Sequence, residues 1–189
     1  MALSKIDAAN FLTGTIPQGN VANASLGAVT SLPGAIATGK ILQVVQSSST
    51  TQSTTTSTTY QNSNLSAAIT PSSSSNKVLI MISQMLNTFS GSGSSGDEYG
   101  TMKWKLLRDS TDIYVPANGS NGNGIFFYNY DGAGQQMSTL SNLQYLDSPS
   151  TTSAITYKTQ LAAGANGDTT VVAQWENNIG FITLLEVAG

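Results

Sequence analysis

The stretch Lys77–Leu86, "KVLIMISQML", decides the fold. Alternate side chains of a strand point to opposite faces. Val78, Ile80 and Ile82 therefore share one face, and Leu79, Met81 and Met85 share the other. Both faces are apolar. A strand of this kind lies in the middle of a sandwich or at a subunit interface.

Working outward, the neighbouring segments also read as strands. "TMKWKLLRD" sets Met102, Trp104 and Leu106 against Lys103 and Lys105. "AITYKTQLA" sets Ile155, Tyr157 and Leu161 against Thr156, Lys158 and Gln160. That alternation marks half-exposed strands. "KILQVVQSS", "LSAAITP", "STDIYVP", "IFFYNY", "TTVVAQWE" and "FITLLEVA" are β-rich, and "QQMSTLSNLQYLD" holds one or two short strands. The Thr/Ser run "TTQSTTTSTTYQ" reads equally as polar strand or loop, because Thr is β-branched. Gly/Asn/Ser clusters punctuate the series at 90–100, 117–124, 131–135 and 164–168. Roughly nine to eleven strands with regular spacing and no helix predict an all-β, antiparallel β-sandwich of jelly-roll type over residues 40–189.

Residues 1–39 differ. Gly14, Pro17, Gly19, Gly27, Pro33, Gly34 and Gly39 break any long helix or central strand. Leu12, Ile16, Val21, Leu26, Val29 and Leu32 follow no single period. The segment reads as an extended N-terminal anchoring arm. Its apolar residues are expected to be covered by copies of the chain or by a neighbouring protein.

Composition narrows the function. Charged residues make up 9% of the chain and the net charge is −3, with seven basic residues and no basic cluster. Nucleic-acid binding needs such a cluster, so none is expected. Cys and His are both absent, which removes thiolate chemistry, the commonest acid–base catalyst and the commonest metal ligand. "MALSKIDAANF" lacks the apolar core of a signal peptide, and no run of 18 apolar residues is present. Membrane insertion is not expected.

Few residues remain for chemistry. Asp97, Glu98, Asp109 and Asp112 sit in loops or turns, where Asp ordinarily serves backbone hydrogen bonds. Asp109, Asp112 and Asp131 offer oxygen ligands but no calcium-loop spacing. No catalytic residue, metal or cofactor is assigned. Phe126, Tyr128 and Tyr130 share one face of their strand opposite Ile125 and Phe127, which are the better core pair. Outward Tyr rings suit a sugar or a protein partner; the alternative is a subunit interface. Trp104 and Trp175 are expected in the core.

Two stretches carry a resemblance. "IDAANFLTGTIPQGNVANASLGAVTSLPGAI" resembles linker segments of bacteriophage tail fibres. "GKILQVVQSSSTTQSTTTSTTYQNSNLSAAITPSSSSNKVLIMIS" and "LLRDSTDI" resemble a domain of phage virion appendages. The resemblance implies a homotrimer in the virion, assembled in the cytoplasm of a bacterial host. It implies a non-enzymatic tail-fibre-type appendage, held to other phage virion proteins of the tail or capsid by its arm and touching host surface glycan. The alternative is a capsid decoration or cement protein.

Overall fold

A computed structural model describes residues 40–90, 98–116, 124–129, 136–164 and 169–189, giving backbone alone for 90, 98–100 and 124–129. Eleven strands are present among the described residues: β1 (Ile41–Ser49), β2 (Ser53–Thr55), β3 (Gln61–Ile69), β4 (Lys77–Ser90), β5 (Glu98–Arg108), β6 (Thr111–Tyr114), β7 (Gly124–Asn129), β8 (Gln136–Asp147), β9 (Ile155–Ala163), β10 (Thr169–Ala173) and β11 (Gly180–Val187). The only helical element among these residues is the 3-10 turn Trp175–Asn177.

All pairings are antiparallel and build two sheets. In sheet A, β4 is central. Nearly its whole length, from Val78 to Phe89, pairs with β8 on one edge. Its other edge pairs with β11 along residues 77–83 and with β10 along 86–90. Outside these lie β1, against β11, and β2, against β10. In sheet B the order is β3, β9, β5, and then β6 and β7 sharing the far edge of β5. Counting β1/β2, β6/β7 and β10/β11 as interrupted single strands leaves eight positions. The first pairs with the eighth, the second with the seventh, the third with the sixth and the fourth with the fifth. This is a long hairpin rolled into a sandwich, the jelly-roll topology expected from the sequence.

The interruptions have local causes. Gln174, Glu176 and Asn177 all have left-handed backbones, with φ of 52°, 54° and 58°. Such residues end strand pairing, so "TTVVAQWE" stops at Ala173 instead of running through Trp175. That Trp is half-buried in the turn and packs edge-on against Phe89, with ring centroids 4.7 Å apart. It is not a core residue of the sandwich. β3 bulges between Asn62 and Ser66, around Asn64 at φ 61°; Asn is one of the few residues that accepts this conformation.

The core lies between the sheets. Val78, Ile80, Leu86, Ile182 and Leu184 from sheet A meet Leu65, Met102, Trp104, Leu106, Tyr157 and Leu161 from sheet B. Two side-chain clusters are prominent among the polar links between the sheets. The Gln84 amide of β4 donates to Ser63 (3.0 Å) and accepts from the Trp104 indole (3.0 Å) and the Thr159 hydroxyl (3.1 Å). At the end of β8, Asp147 accepts from Arg108 (2.8 Å) and from the Tyr157 hydroxyl (2.7 Å). Burial, and then this bond to Asp147, raises the Tyr157 hydroxyl above its ordinary pKa.

Candidate functional surface

Among the described residues, only one face of the first half of β4 is covered. Val78, Ile80 and Ile82 are almost completely buried, whereas Met81 on the opposite face is 39% exposed and Leu79 and Met85 are half-buried. Strand register carries this opening across the sheet. Val44 lies opposite Leu185, Leu185 opposite Leu79, and Leu79 opposite Leu146. One apolar row therefore crosses all four strands, and its two ends, Val44 and Leu146, are 60% and 50% exposed.

The next row is Gln46, Thr183, Met81 and Gln144, and the one after it Ser48, Phe181, Ser83 and Asn142. A shallow depression lies between these rows, lined by Met81, Phe181, Asn142 and Gln144. Further along, Leu140 lies opposite Met85 and is 54% exposed. Towards β10 the face closes: Trp175 packs on Phe89, and Asn87 and Val172 are buried. Among the described outward positions of β1, β4, β8 and β11, Lys77 is the one charged residue. Every other polar group there is an amide or a hydroxyl, able both to donate and to accept.

Four of the described carboxylates, Asp109, Asp112, Asp147 and Glu186, are engaged in the fold. Asp109 accepts from the Thr156 backbone N–H (2.9 Å), and Asp112 pairs with Lys105 (2.7 Å). Glu186, 1% exposed, accepts from the Asn76 amide (2.6 Å), the Gln43 amide (2.7 Å), and both the backbone N–H (2.6 Å) and hydroxyl (2.7 Å) of Ser72. Burial opposes its charge, but these donors outweigh burial and hold the carboxyl at about 2. Among the described residues no group of three or more Asp or Glu side chains is placed to hold a metal ion.

The residues singled out in the sequence are placed unevenly. β7 carries Phe126 opposite Thr101 and Tyr128 opposite Tyr99. Tyr130, Asp131 and the whole arm, with Leu12, Ile16, Val21, Leu26, Val29 and Leu32, lie outside the described residues. The open face of sheet A was only half legible. Leu79, Met81 and Met85 announce it, but the row completed by Val44, Leu185 and Leu146 depends on a register between distant segments.

No known protein family matches the chain, and no curated protein does. Solved structures do. One is the structure of infectious bursal disease virus, Gt strain: 14% identity, TM-score 0.32, covering 77% of this chain and 38% of that one. Another is the T13 viral particle of the same virus, at 13% identity and TM-score 0.31, covering 78% of this chain and 36% of the other. A VP2 subviral particle of infectious bursal disease virus matches at 14% identity and TM-score 0.29. The chain spans less than two-fifths of the length of these proteins.

These are not bacteriophage appendages, and the expected identity is corrected accordingly. The tail-fibre reading is withdrawn. With it go the homotrimer it implied, anchoring to phage tail or capsid proteins, contact with host glycan, and assembly in a bacterial cytoplasm. At this level of likeness nothing is carried over from the matched proteins. The fold rests on the strand pairing described above.

Proposed function

We propose that this chain is a non-enzymatic structural subunit of a virus particle, a shell or shell-covering protein that works by packing against neighbouring subunits. The observation that carries the reading is the open apolar row Val44–Leu185–Leu79–Leu146, set in a face with a single charged residue at its margin. A contiguous row of apolar side chains with exposed ends, in a face of neutral amides and hydroxyls, suits a contact site. Four strands about 4.8 Å apart, over eight residues of about 3.3 Å each, give a footprint of about 500 Å². Two such faces together reach the roughly 1,000 Å² at which stable protein contacts begin.

The step from topology to virus particle is fold-level analogy. Jelly rolls also serve as lectins and cupins. A chain without His lacks the usual metal ligand of a cupin. The outward polar groups of sheet A, spread in rows beside an apolar row, suit a protein surface better than a bound sugar.

The test is sedimentation of the purified chain beside Val44→Glu and Met81→Glu. Both positions are exposed, so the fold should tolerate the change. The wild-type chain is expected to associate reversibly, and each variant to shift towards monomer with an unchanged circular dichroism spectrum. A wild-type chain that stays monomeric at every accessible concentration would overturn the reading.

A further inference from the structure

Sheet edges are normally guarded by shortness, bulges, charge or proline. Of the described edges, β1, β2, β3 and β6 follow that rule; β7, six residues long, and β8 do not, and β8 is twice as long. β1 carries a register shift at Ile41/Gln43, β3 bulges between Asn62 and Ser66, β2 has three residues and β6 four. β8 has twelve residues, "QMSTLSNLQYLD", without Lys, Arg or Pro. Its register with β4 runs unbroken from Asp147 opposite Val78 to Gln136 opposite Phe89. Among the described residues β8 pairs with nothing else. Half of its backbone N–H and C=O groups point away from β4, as in any edge strand.

We propose that β8 pairs with β8 of a second copy, antiparallel about a two-fold axis at Leu143, joining two copies of sheet A into one continuous sheet. This rests on the self-association proposed above and names how one contact is made. The sequence of β8 is self-complementary about that axis. Leu140 meets Leu146 of the second copy, and Asn142 meets Gln144. On the inward face Leu143 meets itself, Ser141 meets Tyr145, and Thr139 meets Asp147. No like charges oppose each other. Leu140 and Leu146, 54% and 50% exposed in the single chain, gain apolar cross-strand partners. The open apolar row, which ends at Leu146 in one copy, continues through Leu140 into the next.

The pairing from Thr139 to Asp147 is about 30 Å long and supplies about eight to ten backbone hydrogen bonds, the number found in ordinary protein interfaces. The area it covers is small, so the paired state is expected to be reversible and concentration-dependent.

Two measurements test it on the full chain. In Leu140→Lys/Leu146→Glu, the axis sets opposite charges against each other twice; in Leu140→Lys/Leu146→Lys, it sets like charges there. The first pair is expected to associate roughly tenfold more tightly than the second. The chain has no cysteine, so in Leu140→Cys/Leu146→Cys every disulfide is introduced. Oxidation should give a covalent dimer in the double variant and in neither single variant, whose like cysteines stand far apart. Either the charge discrimination or the specific cross-link supports the pairing, and the absence of both overturns it. If both fail while Val44→Glu still dissociates the wild-type assembly, the edge pairing falls and the structural role stands. A chain that never associates removes both.

Discussion

Glu186 shows how much a single residue can hold in a chain with so few charges. It faces the interior at 1% exposure, and its two oxygens collect four donors from β1 and the β3–β4 loop. Its carboxyl sits at about 2, below the ordinary value of 4.5. A carboxyl whose folded pKa is depressed contributes stability that is complete above its unfolded pKa and is lost as pH falls through the folded one. Glu186 therefore contributes fully above about pH 5 and loses its contribution between about pH 4.5 and 2. That contribution is on the order of 3 kcal/mol. In denaturant unfolding from pH 7 to pH 2, Glu186→Gln should start less stable than the wild type, and the gap should close as the pH falls. A gap that stayed constant would show that packing, not charge, holds this corner. Nothing in "LLEVA" announces the role. The donors are Gln43, Ser72 and Asn76, more than a hundred positions away.

At the scale of the element, β4 shows what alternation can and cannot tell. Two apolar faces were legible in "KVLIMISQML", and they left the strand either in the middle of a sandwich or at a subunit interface. Which face the chain itself would bury was not, since Ile80 and Met81 are equally apolar to a reader of the sequence. The register decides: Ile80 is 0% exposed and Met81 39%. Ile80→Ala should cost about 2–5 kcal/mol, the loss plus cavity of a buried aliphatic side chain. Met81→Gln should leave monomer stability within about 0.5 kcal/mol. Thermal or denaturant unfolding at low concentration separates the two. Equal costs would mean that the outer face is also packed within one chain. β9 was legible, and so was β5 from Thr101 onward, because one face of each carries Lys, Thr or Gln; residues 98–100 had read as loop and belong to β5. β8 looked like one or two short strands because four of its polar residues, Ser138, Ser141, Asn142 and Gln144, are weak strand markers. Its continuity comes from pairing along nearly the whole of β4. β10 and β11 read as separate strands, but the left-handed backbone between them was hidden, since Gln and Glu seldom take it.

At the scale of the whole molecule, the low charge of the chain and the neutrality of its open face make one statement about how it associates. Contacts built on ion pairs weaken with salt, because exposed charges are screened beyond about 8 Å at physiological ionic strength. The outer face of sheet A offers almost nothing to screen: its rows are Leu, Val, Met and Phe among Gln, Asn, Ser and Thr. Net charge is only −3, so repulsion between copies is slight. Association through this face should then be nearly insensitive to sodium chloride. It should strengthen in sulfate, which favours burial of apolar surface, and show a negative heat-capacity change, the thermodynamic mark of such burial. Sedimentation equilibrium across a sodium chloride series, a matching sulfate series and calorimetric dilution at several temperatures measure all three. Association that collapsed in moderate sodium chloride would place the contact elsewhere, on the Lys and Asp side chains of sheet B, where Lys105 and Asp112 already meet at the surface.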